Sequence, residues 1–233
     1  TKSCRFNSGD SPSLSRTFAS SATWTFSVWV KRAELGVADM LLLGGSGFLQ
    51  FNSSDQLVIQ EPDLTTSSRY RDPSAFYHIC VSNSGLFVNG VQVTGTVTTA
   101  ALTAGTHKVG DGFGGYLSDV YLIDGTALDA TSFAEEDATT GQWKPKAYSG
   151  SHGAEGFHLD FKEDTPTSGS NEGIGKDVSG NENYFDTTNL AASDVVNDTP
   201  TNSYATLNPL NRDTAHSTMS EGNLKWATSS YSD

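Results

Sequence analysis

Phe76-Tyr-His-Ile-Cys-Val-Ser-Asn-Ser-Gly-Leu-Phe-Val-Asn-Gly-Val91 holds two short runs of β-branched and aromatic residues, with Asn89-Gly90 inside the second. Asn-Gly supplies two residues that tolerate positive φ, as a type I′ turn demands, and is the strongest short-range hairpin signal. Phe76–Ser82 and Leu86–Val93 are therefore expected to be antiparallel strands. Working outward, Trp24, Phe26, Val28 and Val30 recur at period two on one strand face, with Trp29 on the other. Tyr116–Ile123 is apolar on both faces and is expected at an interior position of a two-layer sandwich. Ser3–Phe6 reads as an opening strand closed by the turn Asn7-Ser-Gly-Asp10. Asp39–Leu43 and Gly47–Asn52 read as a hairpin turned by Gly44-Gly-Ser-Gly47, with Gln56–Gln60 as the next strand. Glu61–Pro73 reads as a polar loop, and Leu128–Asp137 as one short helix capped by Asp129 or Thr131.

Composition agrees with an all-β class. Of 233 residues, 23 are glycine and 36% are apolar, with Ser, Thr and Asn dominating the polar set; that mixture suits many short strands joined by turns. A net charge of −13, with the few basic residues scattered, excludes the clustered cations that a nucleic acid requires. No run of about 18 apolar residues is present for membrane insertion, and no secretory signal pattern is seen. Cys4 and Cys80 sit in apolar runs and read as buried free thiols; a bridge requires the first strand to lie beside that of Cys80.

After Gly141 the texture becomes rich in Gly, Asn, Ser and Thr, with strand-like islands at Phe157–Phe161 and near Asn183–Phe185. The expected organisation is a β-sandwich over 1–140, a Gly/Asn-rich segment 141–193 whose strands complete it, and an extended arm over 194–233. Thr1 in place of a methionine, and the stop soon after Leu224–Ala227, lead us to expect a piece of a longer chain.

Thr25–Val30, Phe76-Tyr-His-Ile79, Phe87-Val-Asn-Gly90 and Gly115–Tyr121, in this order and spacing, resemble the laminin-G-like branch of the concanavalin A-like lectin/glucanase superfamily. The resemblance covers about residues 3–137, with Ser118-Asp119-Val120 where Asp-Glu-Val is usual. It implies a concanavalin A-like jelly-roll β-sandwich. A strand ending in Asp-Phe followed by an Asp-Ser-Ser-Gly-Asn turn ordinarily precedes the first Trp strand; here Phe157-His-Leu-Asp-Phe161 and Asp177-Val-Ser-Gly-Asn181 follow the last one. Either the sandwich is circularly permuted or a second domain begins. Residues 157–190 alone are too few for a core, which favours permutation. The longer string, through Gly141-Gln-Trp-Lys-Pro-Lys-Ala-Tyr148 to Ala205-Thr-Leu-Asn-Pro-Leu210, resembles virion proteins of marine bacteriophages.

The resemblance implies one structural calcium ion, carried over to the Asp119 side chain and to carbonyls of Asn7 and Gly44. An acid in an apolar strand also requires a partner on physical grounds, and the alternative is that Asp119 faces water or caps a loop. For glycan, Tyr70, Phe113, Tyr116 and Tyr148 are the candidate stacking rings, each with core packing as the alternative. Catalysis has thin support. The Glu-x-Asp-x-x-Glu pattern of glycanases on this fold is missing, and Glu135-Glu136-Asp137 would alternate across a strand. Gly110-Asp-Gly-Phe-Gly-Gly115 leads into a strand and so lacks the helix N-terminus that holds phosphate. His152 and His158 with Asp160 are a conceivable site, against a reading as surface-loop histidines.

The expectation is a non-enzymatic protein of the external virion surface, a tail fibre or other appendage. It would form homo-oligomers, contact other virion proteins and adhere to host-surface glycan. The rivals are a structural decoration protein clasping its neighbours with the arm and, third, a glycan depolymerase.

Overall fold

The computed structural model describes residues 2–42, 49–60, 63–94 and 101–228. Its strands are, in order, β1 (Ser3–Phe6), β2 (Ser13–Phe18), β3 (Trp24–Arg32), β4 (Asp39–Leu42), β5 (Leu49–Phe51), β6 (Leu57–Gln60) and β7 (Asp63–Thr65). There follow β8 (Tyr77–Ser82), β9 (Gly85–Val88), β10 (Val91–Thr94), β11 (Gly105–Val109) and β12 (Gly115–Asp124). The remainder are β13 (Ala134–Glu136), β14 (Trp143–Pro145), β15 (Phe157–Leu159), β16 (Asp186–Thr188), β17 (Val195–Val196), β18 (Ser217–Ser220) and β19 (Lys225–Thr228).

Fifteen of them form two antiparallel sheets facing one another, while β13 pairs only with β14 and β18 only with β19 among the described residues. The first runs β10-β9-β8-β3-β12-β1-β17, with β15 also on β12; the second runs β16-β2-β11-β4-β5-β6-β7. The expected all-β sandwich is borne out. Trp24, Phe26, Val28 and Val30 do share the inner face of β3, packing with Ile79, Val81, Leu117 and Leu122 of their own sheet. Opposite them lie Leu14, Phe18, Leu49, Phe51, Leu57, Ile59 and Val109 of the second sheet. At Asn89-Gly90 the φ angles are 50° and 79°, as a type I′ turn requires.

The outer face of the first sheet is buried as well, which is why β3 and β12 read as apolar on both sides. Residues 128–148 fold over it: Phe133, Ala130, Trp143 and Tyr148 pack on Tyr121, Ile123 and Cys80. Trp29 joins Phe76, Tyr116 and Ala134 beside them. Within that cover His78 is held in a defined tautomer. Its Nδ1 accepts from the Trp143 indole at 3.1 Å, leaving Nε2 to donate to Ser27 Oγ at 2.8 Å. Burial pushes its pKa from 6.5 down to about 3.

Three strands from beyond residue 150 complete the sandwich. β15 pairs with β12, β16 with β2 and β17 with β1, and Phe157, Phe161, Ile174, Phe185 and Leu190 enter the core. Residues 157–190 thus pair with and pack into the sandwich that precedes them.

Several local expectations are corrected. Glu61–Pro73 contains β7, which pairs with β6. The Leu128–Asp137 helix is one 3-10 turn, Ala130–Ser132, capped by the Asp129 side chain, and Glu135 and Glu136 lie in β13. Gly44–Gly47 lies outside the described residues, though β4 and β5 pair as expected. β1 is separated from β8 by β12 and β3, so Cys4 and Cys80 are two buried free thiols.

The expected arm is folded onto the body from its first residue. Asp194 pairs with Arg5 at 2.8 Å, and β17 extends the first sheet. Lys31 Nζ, on the outer face of β3, donates to Asp198 Oδ2 at 2.9 Å, Tyr204 O at 2.6 Å and Ser203 Oγ at 3.4 Å. Farther on, Tyr116 donates to Gly222 O at 2.7 Å and Asn223 Nδ2 to Ala33 O at 2.8 Å. Hydropathy hides this docking, because its anchors are charges and amides buried in complementary pairs.

Candidate functional site

Asp119 stands where β12 changes neighbours. Residues 115–118 pair with β1 and residues 120–122 with β15, while the register against β3 slips between Ser118 and Tyr121. Asp119 is the extra residue of this bulge, at φ 46°. The slip explains why Leu117 and Val120 both face the core, and Tyr116 and Tyr121 both face outward. It also turns the carboxylate aside, so that Oδ1 meets His158 Nε2 of β15 at 3.1 Å. The partner that a buried acid requires is thus an imidazole one strand away.

His158 lies flat on Tyr121, its cross-strand neighbour, with ring centroids 3.8 Å apart and planes 13° apart. Tyr121 also stacks on His152 at 6.2 Å, and Tyr148 meets His152 edge-on at 5.3 Å. Burial, then the negative charge of Asp119, pushes the Tyr121 phenol upward. Burial, then the neighbouring His158, pushes His152 downward. The Nε2 of His152 is buried without a hydrogen-bond partner. Asp160 and Lys162 pair at 2.7 Å close by, a contact that raises the lysine pKa.

A backbone device fixes this rim. Asp177 accepts from His158 N, Ser179 N, Ser179 Oγ and Asn183 N at 2.8 to 3.0 Å. Asn181 and Asn183 then donate to the carbonyls of Gly153, Ala154 and Gly156. The Asp177–Asn183 turn therefore clasps the loop that presents His152. Asp177 is spent on this architecture; the groups left toward the rim are His152, His158, Tyr148 and Lys162.

Of the expected calcium set, Asp119 and Asn7 are not brought together. Ser3 pairs with Ser118 and Phe6 with Gly115, so Asn7 stands five positions along the ladder from Asp119, about 17 Å at the usual strand rise. One ion with 2.3–2.6 Å bonds does not touch both. Asn7 is engaged with Asp10, and Gly44 lies outside the described residues. Among the described residues no three His, Cys, Asp or Glu side chains gather into a metal cluster.

Three of the four candidate stacking rings are interior. Phe113 and Tyr116 are 0% and 1% exposed, and Tyr70 is 7% exposed. Tyr70 is locked by its backbone: its N–H donates to Asp55 O, and its carbonyl accepts from Arg32. A buried ring has no face to offer a sugar. Tyr148 alone of the four is partly open, and it belongs to the rim. The reading of His152 and His158 as loop residues is corrected for His158, which lies in β15. Tyr121 and Lys162 were missed, because cross-strand register rather than spacing brings them here.

A second open surface is the outer face of β16, β2 and β11. Asp186, Thr188, Thr17, Thr106 and Lys108 are exposed there, with Thr17 and Thr106 hydroxyls 3.0 Å apart. It carries hydroxyls and charges but no ring.

No family model matches the chain, and no curated protein matches it significantly. Among solved structures it is similar to a candidate carbohydrate-binding protein from Bacteroides ovatus, at 13% identity and a TM-score of 0.44. That match covers 64% of this chain and spans 60% of the Bacteroides chain. It is also similar to a heptameric SAP-like pentraxin from Limulus polyphemus, at 16% identity and a TM-score of 0.39, over 55% of this chain and 76% of that one.

Proposed function

We propose that this protein is a lectin-like recognition module that holds carbohydrate at the Asp119–His158 rim. The observation that carries the reading is the make-up of that rim. A bulge-borne carboxylate, two imidazoles, a lysine and a partly open tyrosine ring converge beside a surface otherwise sealed by residues 128–148. Sugars present hydroxyls that donate and accept, and C–H faces that pack on rings; the rim offers partners for both. The net charge of −13 favours neutral or amino sugars over acidic polysaccharide. We place the module on the exterior of a bacteriophage virion, where many weak contacts add through copy number. The sequence resemblance to phage virion proteins supports that setting.

The test is a glycan array probed with the native protein and with the His158→Ala and Tyr148→Ala variants. Binding to a defined subset of neutral glycans, reduced at least about tenfold in both variants, is the expected outcome. Uniformly flat binding by the folded wild type refutes the reading.

A reading as a structural component has one observation in its favour: exposed large apolar residues gather in the segment 204–226. The rest of the expected arm is committed to its own sandwich, so clasping of neighbours by residues 194–203 is not part of that reading.

A further inference from the structure

Five of the eight large apolar side chains exposed on the described surface belong to one segment: Tyr204, Leu207, Leu210, Leu224 and Trp226. Trp226 lies in the β18–β19 hairpin, Leu224 in its turn, and Leu207 beside it through its N–H on Asn223 O; the hairpin pairs with no other strand among the described residues. An isolated two-stranded hairpin is marginal in water. This one is tied to the body near its turn, through Gly222 and Asn223.

Met219 and Trp226 are directly opposed across the hairpin and so share a face. Met219 also lines a cleft of about 180 Å³ between the hairpin and the β3–β4 connection, together with Val37, Leu210, Glu34 and Arg212. Trp226 is thus the cross-strand neighbour of a residue that lines the cleft, and is itself 45% exposed, with Leu210 at 53% and Val37 at 41%. A protruding ring and a recess on one face are what a two-fold contact between identical surfaces needs, since each copy then gives a knob and receives one. Residues 204–228 carry Arg212 and Lys225 against Asp213 and Glu221, for a net charge of zero in a chain of −13. Two acidic bodies meet with least repulsion through such a surface.

We propose that two copies of this chain associate through the β18–β19 face, the Trp226 ring of each seated in the cleft of the other. The association stands apart from sugar binding, since the rim lies on β12 and β15.

Sedimentation velocity of the whole chain from about 1 to about 100 µM tests it. The expected result is a monomer–dimer equilibrium in that range, with a blue shift of tryptophan emission as the dimer forms. Trp226→Ser and Leu210→Asp each weaken it at least about tenfold. A wild type that stays monomeric at the top concentration, or a dimer indifferent to both Trp226→Ser and Leu210→Asp, overturns the proposal. Both surface variants alter exposed side chains, and a circular dichroism melt of each confirms that a loss is one of association.

Discussion

Replacing Lys31 with methionine keeps the length of the side chain and removes its charge. The ammonium is fully buried and its three donors are all used, on Asp198 Oδ2, Tyr204 O and Ser203 Oγ. Among the described residues Asp198, 5% exposed, keeps only the Tyr204 N–H on its carboxylate, at 3.0 Å on Oδ1. The variant therefore leaves a buried carboxylate without its cation, a change that costs about 3–5 kcal/mol. Removing both charges, in Lys31→Met with Asp198→Leu, avoids that penalty and returns stability to within about 1–2 kcal/mol of wild type. Urea denaturation gives the two free energies. Hydrogen exchange adds a local reading, because the pair fastens residues 195–204 to β3. Amides of that segment and of Gly222–Leu224 should lose protection in the single variant, while those of β3 and β12 lose only what global stability dictates. A single variant costing less than about 1 kcal/mol, with the 195–204 amides still protected, refutes the claim that this ion pair fastens the C-terminal segment.

His78 is neutral in the fold, its pKa pushed down to about 3, whereas an unfolded histidine titrates near 6.5. Above pH 6.5 neither state takes the proton; below it the unfolded chain does and the fold does not. Stability should then fall by about 1.4 kcal/mol per pH unit toward pH 3 from this group alone, and a urea series across that range should show the slope reduced by as much in His78→Gln. Burial raises the pKa of both Cys4 and Cys80. Neither thiol should react with maleimide in the native protein and both should in denaturant; rapid native labelling of either one contradicts the fold described. Gly110 sits at φ 76° with the Phe6 ring where a Cβ would lie. Gly110→Ala should cost about 1–3 kcal/mol by backbone strain with a further loss from displaced core packing, read from a thermal melt; an unchanged melting temperature counts against this packing.

The sandwich was legible because its signals are local. Period two in Trp24–Val30, the Asn89-Gly90 turn and the two-sided apolar run at 116–123 act through residues adjacent in sequence, and propensity and pleat act at that range. That a strand at 157–161 returns to the sandwich was also expected from the sequence, through a motif met on the wrong side of the Trp strand; its place beside β12 was not. What tertiary structure decided is pairing across distance. That Asp119 meets His158 depends on a one-residue slip in β12, and a slip exchanges the faces of every residue beyond it. That Phe113 and Tyr116 are core rather than platform depends on which segment covers them. The polar stretch after Asp194 docks because Lys31, thirty-one residues from the start, holds a carboxylate 167 residues away. Composition reports how many charges a chain has; only the folded geometry reports which of them are taken out of water together, and there the energy of a charge is largest.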